Sequence, residues 1–190
     1  KEAEIAIRKA TKFNPNFAEA HYNLGNILRD LGKLKEAEIF LRKTIKLNPN
    51  LFTAYYNLGV LLRHIGKLDE AGIHVHNSIK LNPLLAENYN LLGNILSIKG
   101  NIKDAIESYK KALKINPTYK DAHTNLGNLK LLSGDYKSGW CHHSWRWKDI
   151  QSPLLNKNLK IEKWDKTSFK KGEKLIVFSE EGLGHTIQHM

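Results

Sequence analysis

The sequence predicts an all-α chain of stacked helix–turn–helix units, and three series of residues carry that prediction. Asn-Pro recurs at Asn14-Pro15, Asn48-Pro49, Asn82-Pro83 and Asn116-Pro117. Leu-Gly recurs at Leu24-Gly25, Leu58-Gly59, Leu92-Gly93 and Leu126-Gly127, and a further glycine falls at Gly32, Gly66, Gly100 and Gly134. Every series advances by the same interval, 34 residues (14 to 48, 24 to 58, 32 to 66), without a slip. A unit of that length cannot bury its own apolar face, so such units stack into a solenoid.

Within one unit the periodicity gives two helices. From Ala18 to Leu31, Tyr22, Leu24, Ile27, Leu28 and Leu31 recur at helical spacing, and Gly32 supplies the turn. A second helix is predicted over Leu34–Leu47, with Ala37, Leu41, Thr44 and Ile45 on its buried side. Pro49 ends it, because proline cannot continue a helix and biases Asn48 away from helical geometry. Gly25 and Ala37, with their equivalents in later units, are small enough to let two helix backbones run close together.

The elements follow in order. Residues 1–17 read as a partial repeat, a second helix with Ala3, Ala10 and Pro15 in the expected places. Full repeats are predicted at 18–51, 52–85 and 86–119. A divergent capping repeat occupies 120–148: Gly139 stands where the others have Ala37, Ala71 and Ala105, and no Asn-Pro closes it. On a helix there, Trp140, His143 and Trp147 would share one face, as the packed end of the array or as a stacking surface for bases; the packed end is preferred. Residues 149–173, with Pro153 and many lysines, read as a connector. Residues 174–190 read as the truncated start of an α/β domain: a short strand, Lys174–Ser179, then Gly182-Leu183-Gly184 and a polar helical start.

Composition narrows the function. The chain has 190 residues, 41% hydrophobic and 26% charged, which suits a folded rather than a disordered protein. No run approaches the ~18 apolar residues of a membrane span. The start lacks the apolar core of a secretion signal, so a cytoplasmic setting is the default. The net charge of +11 invites a nucleic-acid reading. Yet only Arg8, Arg29, Arg42, Arg63 and Arg146 are arginine, and the lysines are spread without a dense block, so no specific nucleic-acid partner is expected. Cys141 is the single cysteine, which excludes a disulfide framework. Beside His142 it reads as a buried or bystander cysteine, since helix neighbours do not face each other. His185 and His189, or His74 and His76, have spacings that suit a metal in part, but no third ligand is evident and no metal site is expected.

The run Leu24-Gly25, Ala37 and Pro49, with its later copies, resembles the tetratricopeptide repeat over about residues 1–148. The resemblance implies a right-handed superhelix whose first helices line a concave face. Asn23, Asn26, Asn57, Asn94, Asn125 and Asn128 would stand on that face, with Tyr22 and Tyr56 beside them, as a ladder interrupted at Val60 and Leu91. Amides both donate and accept, which suits them to gripping an extended peptide without reading its sequence. A similar ladder characterises the repeat arm of O-linked N-acetylglucosamine transferases. The alternative is that a compositional bias toward asparagine filled exposed helix positions. Tyr22, Thr53 and Tyr56 stand where the clamp for an acidic peptide C-terminus carries basic groups, so that mode is not expected.

The later residues resemble a second family. Gly139-Trp140, Trp145-Arg146-Trp147, Trp164-Asp165 and Glu180-x-Gly-Leu-Gly-x-Thr-Ile-Gln188 occur in the order found in bacterial proteins whose repeats precede a glycosyltransferase-B-like domain. That resemblance implies an acceptor-recruiting arm on a transferase that uses a nucleotide sugar as donor. His185 stands where the family has aspartate and would be the catalytic base, in a loop formed by Gly182 and Gly184. No cofactor is expected in this chain, and the chain alone is expected to be inactive. The alternative is a stand-alone interaction scaffold.

Overall fold

The computed structural model describes residues 2–147, with side chains as far as residue 145. Among these, nine helices follow one another: α1 (Glu2–Phe13), α2 (Ala18–Asp30), α3 (Leu34–Leu47), α4 (Phe52–His64), α5 (Leu68–Leu81), α6 (Ala86–Ile98), α7 (Ile102–Ile115), α8 (Lys120–Leu132) and α9 (Tyr136–His143), then a 3-10 turn, Ser144–Trp147. The solenoid predicted from the sequence is the fold. The connector, the strand at 174–179 and the loop with Gly182, Gly184 and His185 lie outside the described residues.

The glycine turns are helix caps with one geometry. Gly32, Gly66, Gly100 and Gly134 have φ between 74° and 85°, the left-handed region where only glycine avoids a clash. The amide after each glycine reaches back past the turn: Lys33 to the Leu28 carbonyl at 2.8 Å, and Lys67 to Leu62, Asn101 to Leu96 and Asp135 to Lys130 at 2.9 Å. These bonds satisfy carbonyls at the end of the first helix of each pair. The Asn-Pro steps do a second job besides ending helices. The side chains of Asn14, Asn48, Asn82 and Asn116 accept from the amides of Asn16, Asn50, Leu84 and Thr118, which fixes the turn.

Helices pair within a repeat as α2 with α3, α4 with α5, α6 with α7 and α8 with α9. First helices also approach closely across repeats, α2 to α4, α4 to α6 and α6 to α8, whereas the backbones of α3, α5 and α7 stay farther from one another. First helices therefore form the inner, tighter layer. Leu24, Leu28, Ala37, Leu41, Leu58, Leu62, Ala71 and Val75 are fully buried between the layers.

The small residues do let helix backbones run close: an added Cβ would lie 3.4 Å from the Leu41 amide nitrogen at Gly25, 3.5 Å from the Ala71 carbonyl oxygen at Gly59 and 2.6 Å from the His143 amide nitrogen at Gly127. At Gly25, Gly59 and Gly93 a side chain, Leu41, Val75 or the Tyr109 ring, comes nearer still. One expectation needs correction. The helix expected to carry Trp140, His143 and Trp147 on one face ends as an α-helix at His143, and Ser144–Trp147 form a 3-10 turn. The Ser144 hydroxyl donates to the Cys141 carbonyl at 3.0 Å, the helix tightens into the 3-10 turn, and Trp145 stacks on His123 with ring centres 3.9 Å apart. Trp140 and His143 do meet, edge to face at 5.4 Å.

Candidate functional site: an amide ladder on the inner helices

The predicted ladder residues lie on α2, α4, α6 and α8, and the structure links them across repeats. Asn57 Nδ2 donates to Tyr22 Oη at 2.9 Å and to Asn26 Oδ1 at 2.8 Å. Two repeats later Asn125 Nδ2 donates to Asn90 Oδ1 and to Asn94 Oδ1, both at 3.0 Å. The Tyr109 hydroxyl, whose pKa burial pushes up to about 12, adds a bond to Asn94 Oδ1 at 2.8 Å. Asn90 Nδ2 donates to Tyr119 Oη at 3.4 Å. Asn23 is half-buried and Asn128 exposed, and neither joins these networks.

The middle junction is different in kind. Where an amide would continue the ladder, Leu91 is buried in the core cluster, and Tyr56 and Val60 pack against that cluster. The interruptions at Val60 and Leu91 are therefore a matched apolar junction. Burial raises the pKa of the Tyr56 hydroxyl, so it stays protonated here.

Counting protons and lone pairs shows what each amide keeps. An amide nitrogen has two hydrogens and its oxygen two lone pairs. Asn57 and Asn125 spend both hydrogens on the preceding repeat and keep their carbonyl oxygens. Asn94 spends both lone pairs, on Tyr109 and Asn125, and keeps both N–H groups. Asn94, Asn125 and Asn128 open onto a hollow of about 350 Å3 that also takes in Arg63, Ser97, Tyr109 and the apolar Ile98, Leu129 and Leu132. Arg63 Nε is buried there without a hydrogen-bond partner.

Asn90 was missed in the sequence because it lies one residue before the interrupted position, and only the packing of α6 on α8 brings it to Asn125. Also missed was a ring pair repeated in three of the four units: His21 with Phe40 at 5.8 Å, Tyr55 with His74 at 6.0 Å, and His123 with His142 at 5.0 Å; in the third unit the equivalent positions are Tyr89 and Ser108. Its signal was present, since each pair is separated by the same 19 residues (21 to 40, 55 to 74, 123 to 142). His74 is thus a packing residue, while His76 is exposed and bonded to the Gly72 carbonyl. Cys141 is exposed, and its neighbour His142 pairs with His123 instead. No group of three or more metal-ligating side chains comes together among the described residues. None of their helices is long and apolar enough to cross a membrane.

An inner layer of first helices, joined by glycine-capped turns to an outer layer, defines a helical-repeat interaction scaffold. The repeats are tetratricopeptide repeats: models of that repeat match residues 18–51 and 40–72, and a TPR repeat model matches 93–134. Among solved structures, MamA from Desulfovibrio magneticus RS-1 is similar at 27% identity and a TM-score of 0.71, over 78% of this chain and 87% of that one. PilF of Pseudomonas aeruginosa (20% identity, TM-score 0.70, 76% and 66% covered) shares the fold. So does YrrB, described as a TPR protein with an unusual peptide-binding site (22% identity, TM-score 0.64, 73% of each chain). No curated protein matches the chain significantly.

Proposed function

We propose that the inner face holds an extended peptide by its backbone, through the halves of the ladder amides that the repeat junctions leave unspent. One observation carries this reading. The junction bonds fix each amide in one orientation, so Asn57 and Asn125 offer carbonyl oxygens while Asn26 and Asn94 offer N–H groups. An extended backbone presents the complementary series, a donor and an acceptor on each residue. Preset orientation lowers the ordering cost on binding. Arg63, with an unpartnered Nε in the hollow, would favour a peptide that places an acidic group there.

Asn94→Asp tests the reading. Aspartate keeps the oxygens that accept from Tyr109 and Asn125 but loses both donors to the peptide. Peptides enriched by the full chain from a random-sequence library should bind this variant at least about tenfold more weakly, or ~1.4 kcal/mol, with its circular dichroism unchanged. Equal affinity would remove the ladder from the function.

A second reading rests on the sequence run from Gly139-Trp140 to Gln188 alone: the array recruits acceptor proteins to a glycosyltransferase domain that uses a nucleotide sugar and His185 as base. Its test is transfer from a nucleotide sugar by the complete gene product, with strong loss of turnover in His185→Ala. No transfer by the complete product would leave the interaction scaffold.

A further inference from the structure

On the opposite side of α8 from the ladder lies a second hollow of about 350 Å3, between α7, α8 and α9. On α8 the hollow takes His123, Leu126 and Lys130, whereas the inner face takes Asn125, Asn128 and Leu129. Lys110 and Lys114 enter from α7 and His142 from α9, over an apolar floor that includes Leu113. No acidic side chain lines it.

Two features set this place apart from the rest of the array. The first is Lys130. Its equivalents one, two and three repeats earlier are Leu96, Leu62 and Leu28, and the last two are fully buried core residues. A lysine therefore stands where the repeat otherwise packs a leucine, and its side chain is only 17% exposed. Its ammonium group reaches Asp135 at 3.4 Å and the Ser138 hydroxyl. The second is the histidine pair. His123 Nε2 lies 3.0 Å from the Pro117 carbonyl, so it carries the proton, and His123 Nδ1 is left to accept. Across 2.8 Å, His142 must then donate from Nδ1, which leaves its Nε2 available.

The donor count exceeds what the protein itself uses. Lys110 spends one proton on Glu107 at 2.7 Å and keeps two. Lys130 keeps one. Lys114 has no ion-pair partner among the described residues. Three ammonium groups over a partly apolar floor, with two carboxylates outside the hollow, favour an anion with several acceptor oxygens, and lysine commonly binds phosphate as a point charge. The volume admits a phosphate together with a small carbon framework.

We propose that this hollow binds the phosphate group of a small soluble phosphate compound, with Lys110, Lys114 and Lys130 as its ligands and His142 Nε2 beside them. The site is separate from the peptide-binding face and stands whether or not that reading holds.

The test titrates the full chain with inorganic phosphate and pyrophosphate at constant ionic strength, following the His142 ring resonances and the heat of binding. Saturable binding at or below about 1 mM is expected, with weaker response to acetate. Lys114→Glu should abolish it. Lys130→Leu should abolish it while leaving the fold intact, because it restores the residue the other repeats carry. The same titration with phosphatidic-acid vesicles separates a headgroup from a free phosphate. No saturable response, equal binding by acetate, binding that survives both substitutions, or binding to vesicles alone would each overturn the proposal.

Discussion

A single methyl group measures how closely two helices run. A Cβ added at Gly127 would lie 2.6 Å from the His143 amide nitrogen and 2.9 Å from its Cα, both backbone atoms that move only with α9. At Gly59 the nearest atom is a Val75 methyl at 2.7 Å, and a side chain can turn away. Gly127→Ala should therefore cost about 2–3 kcal/mol, more than Gly59→Ala, in the range of overpacking in a tight core. Denaturant melts of the two variants check this, and equal costs would show that α9 yields as easily as a valine side chain. The Leu-Gly series was plain in the sequence, but which glycines face side chains and which face backbone was not. That depends on the residue sixteen positions on (Leu41, Val75, Tyr109, His143), and nothing in a periodic pattern says that α9 stops short after its eighth residue.

Pairs of helices make the junctions, and the junctions alternate in chemistry. Asn57 on Tyr22 and Asn26 is polar, Leu91 beside Tyr56 and Val60 is apolar, and Asn125 on Asn90 and Asn94 is polar again. Asn57→Leu alone should lose about 1–2 kcal/mol, because Tyr22 Oη and Asn26 Oδ1 lose their donor in a half-buried place. Adding Asn26→Val rebuilds the chemistry of the middle junction, so the double variant should recover about 1 kcal/mol of that loss. Strictly additive losses in the double-mutant cycle would mean that the two side chains do not interact. From sequence the ladder's residues were identifiable, whereas its gap looked like a defect. The packing of three helices was needed to show that Val60 and Leu91 change together. Outer helices are joined otherwise, by ion pairs: Arg8 bridges Glu4 and Glu36, and Arg42 bridges Glu38 and Glu70. The next copy stops at Gly72 and His76, so these clasps strengthen only the first junctions, each modestly.

The stability of the molecule against acid is governed in part by two ring pairs. Burial first, then Arg42, holds the His74 imidazole below its ordinary pKa, and burial, His123 and Lys130 do the same for His142. The sign follows from proton uptake. Below the ordinary value of 6.5 the unfolded chain binds protons that the folded one resists, so stability is lost as pH falls from there toward the folded values. Glu4 and Glu38, held low by their ion pairs, lose stability in the same direction but in the lower carboxylate range. His74→Phe copies the His21–Phe40 pair and removes one titrating group. Its melts between pH 7 and pH 5 should show a shallower fall than the parent's, with His142 supplying what remains. An unchanged slope would show that His74 titrates alike in both states.

Alternation of the junctions makes the chain editable in twos. Between the described residues the side-chain hydrogen bonds span at most 35 positions in sequence, so removing whole units severs little beyond the junction at the cut. Excising residues 52–85 would set Leu91 over Tyr22 and Asn26, oil against amide. Excising residues 52–119 instead would set Asn125 over the same two partners and close a polar junction. The length of this arm can thus grow or shrink by duplication and deletion, but the natural quantum is a pair of repeats, and a gene edited by odd numbers inherits a mismatched seam.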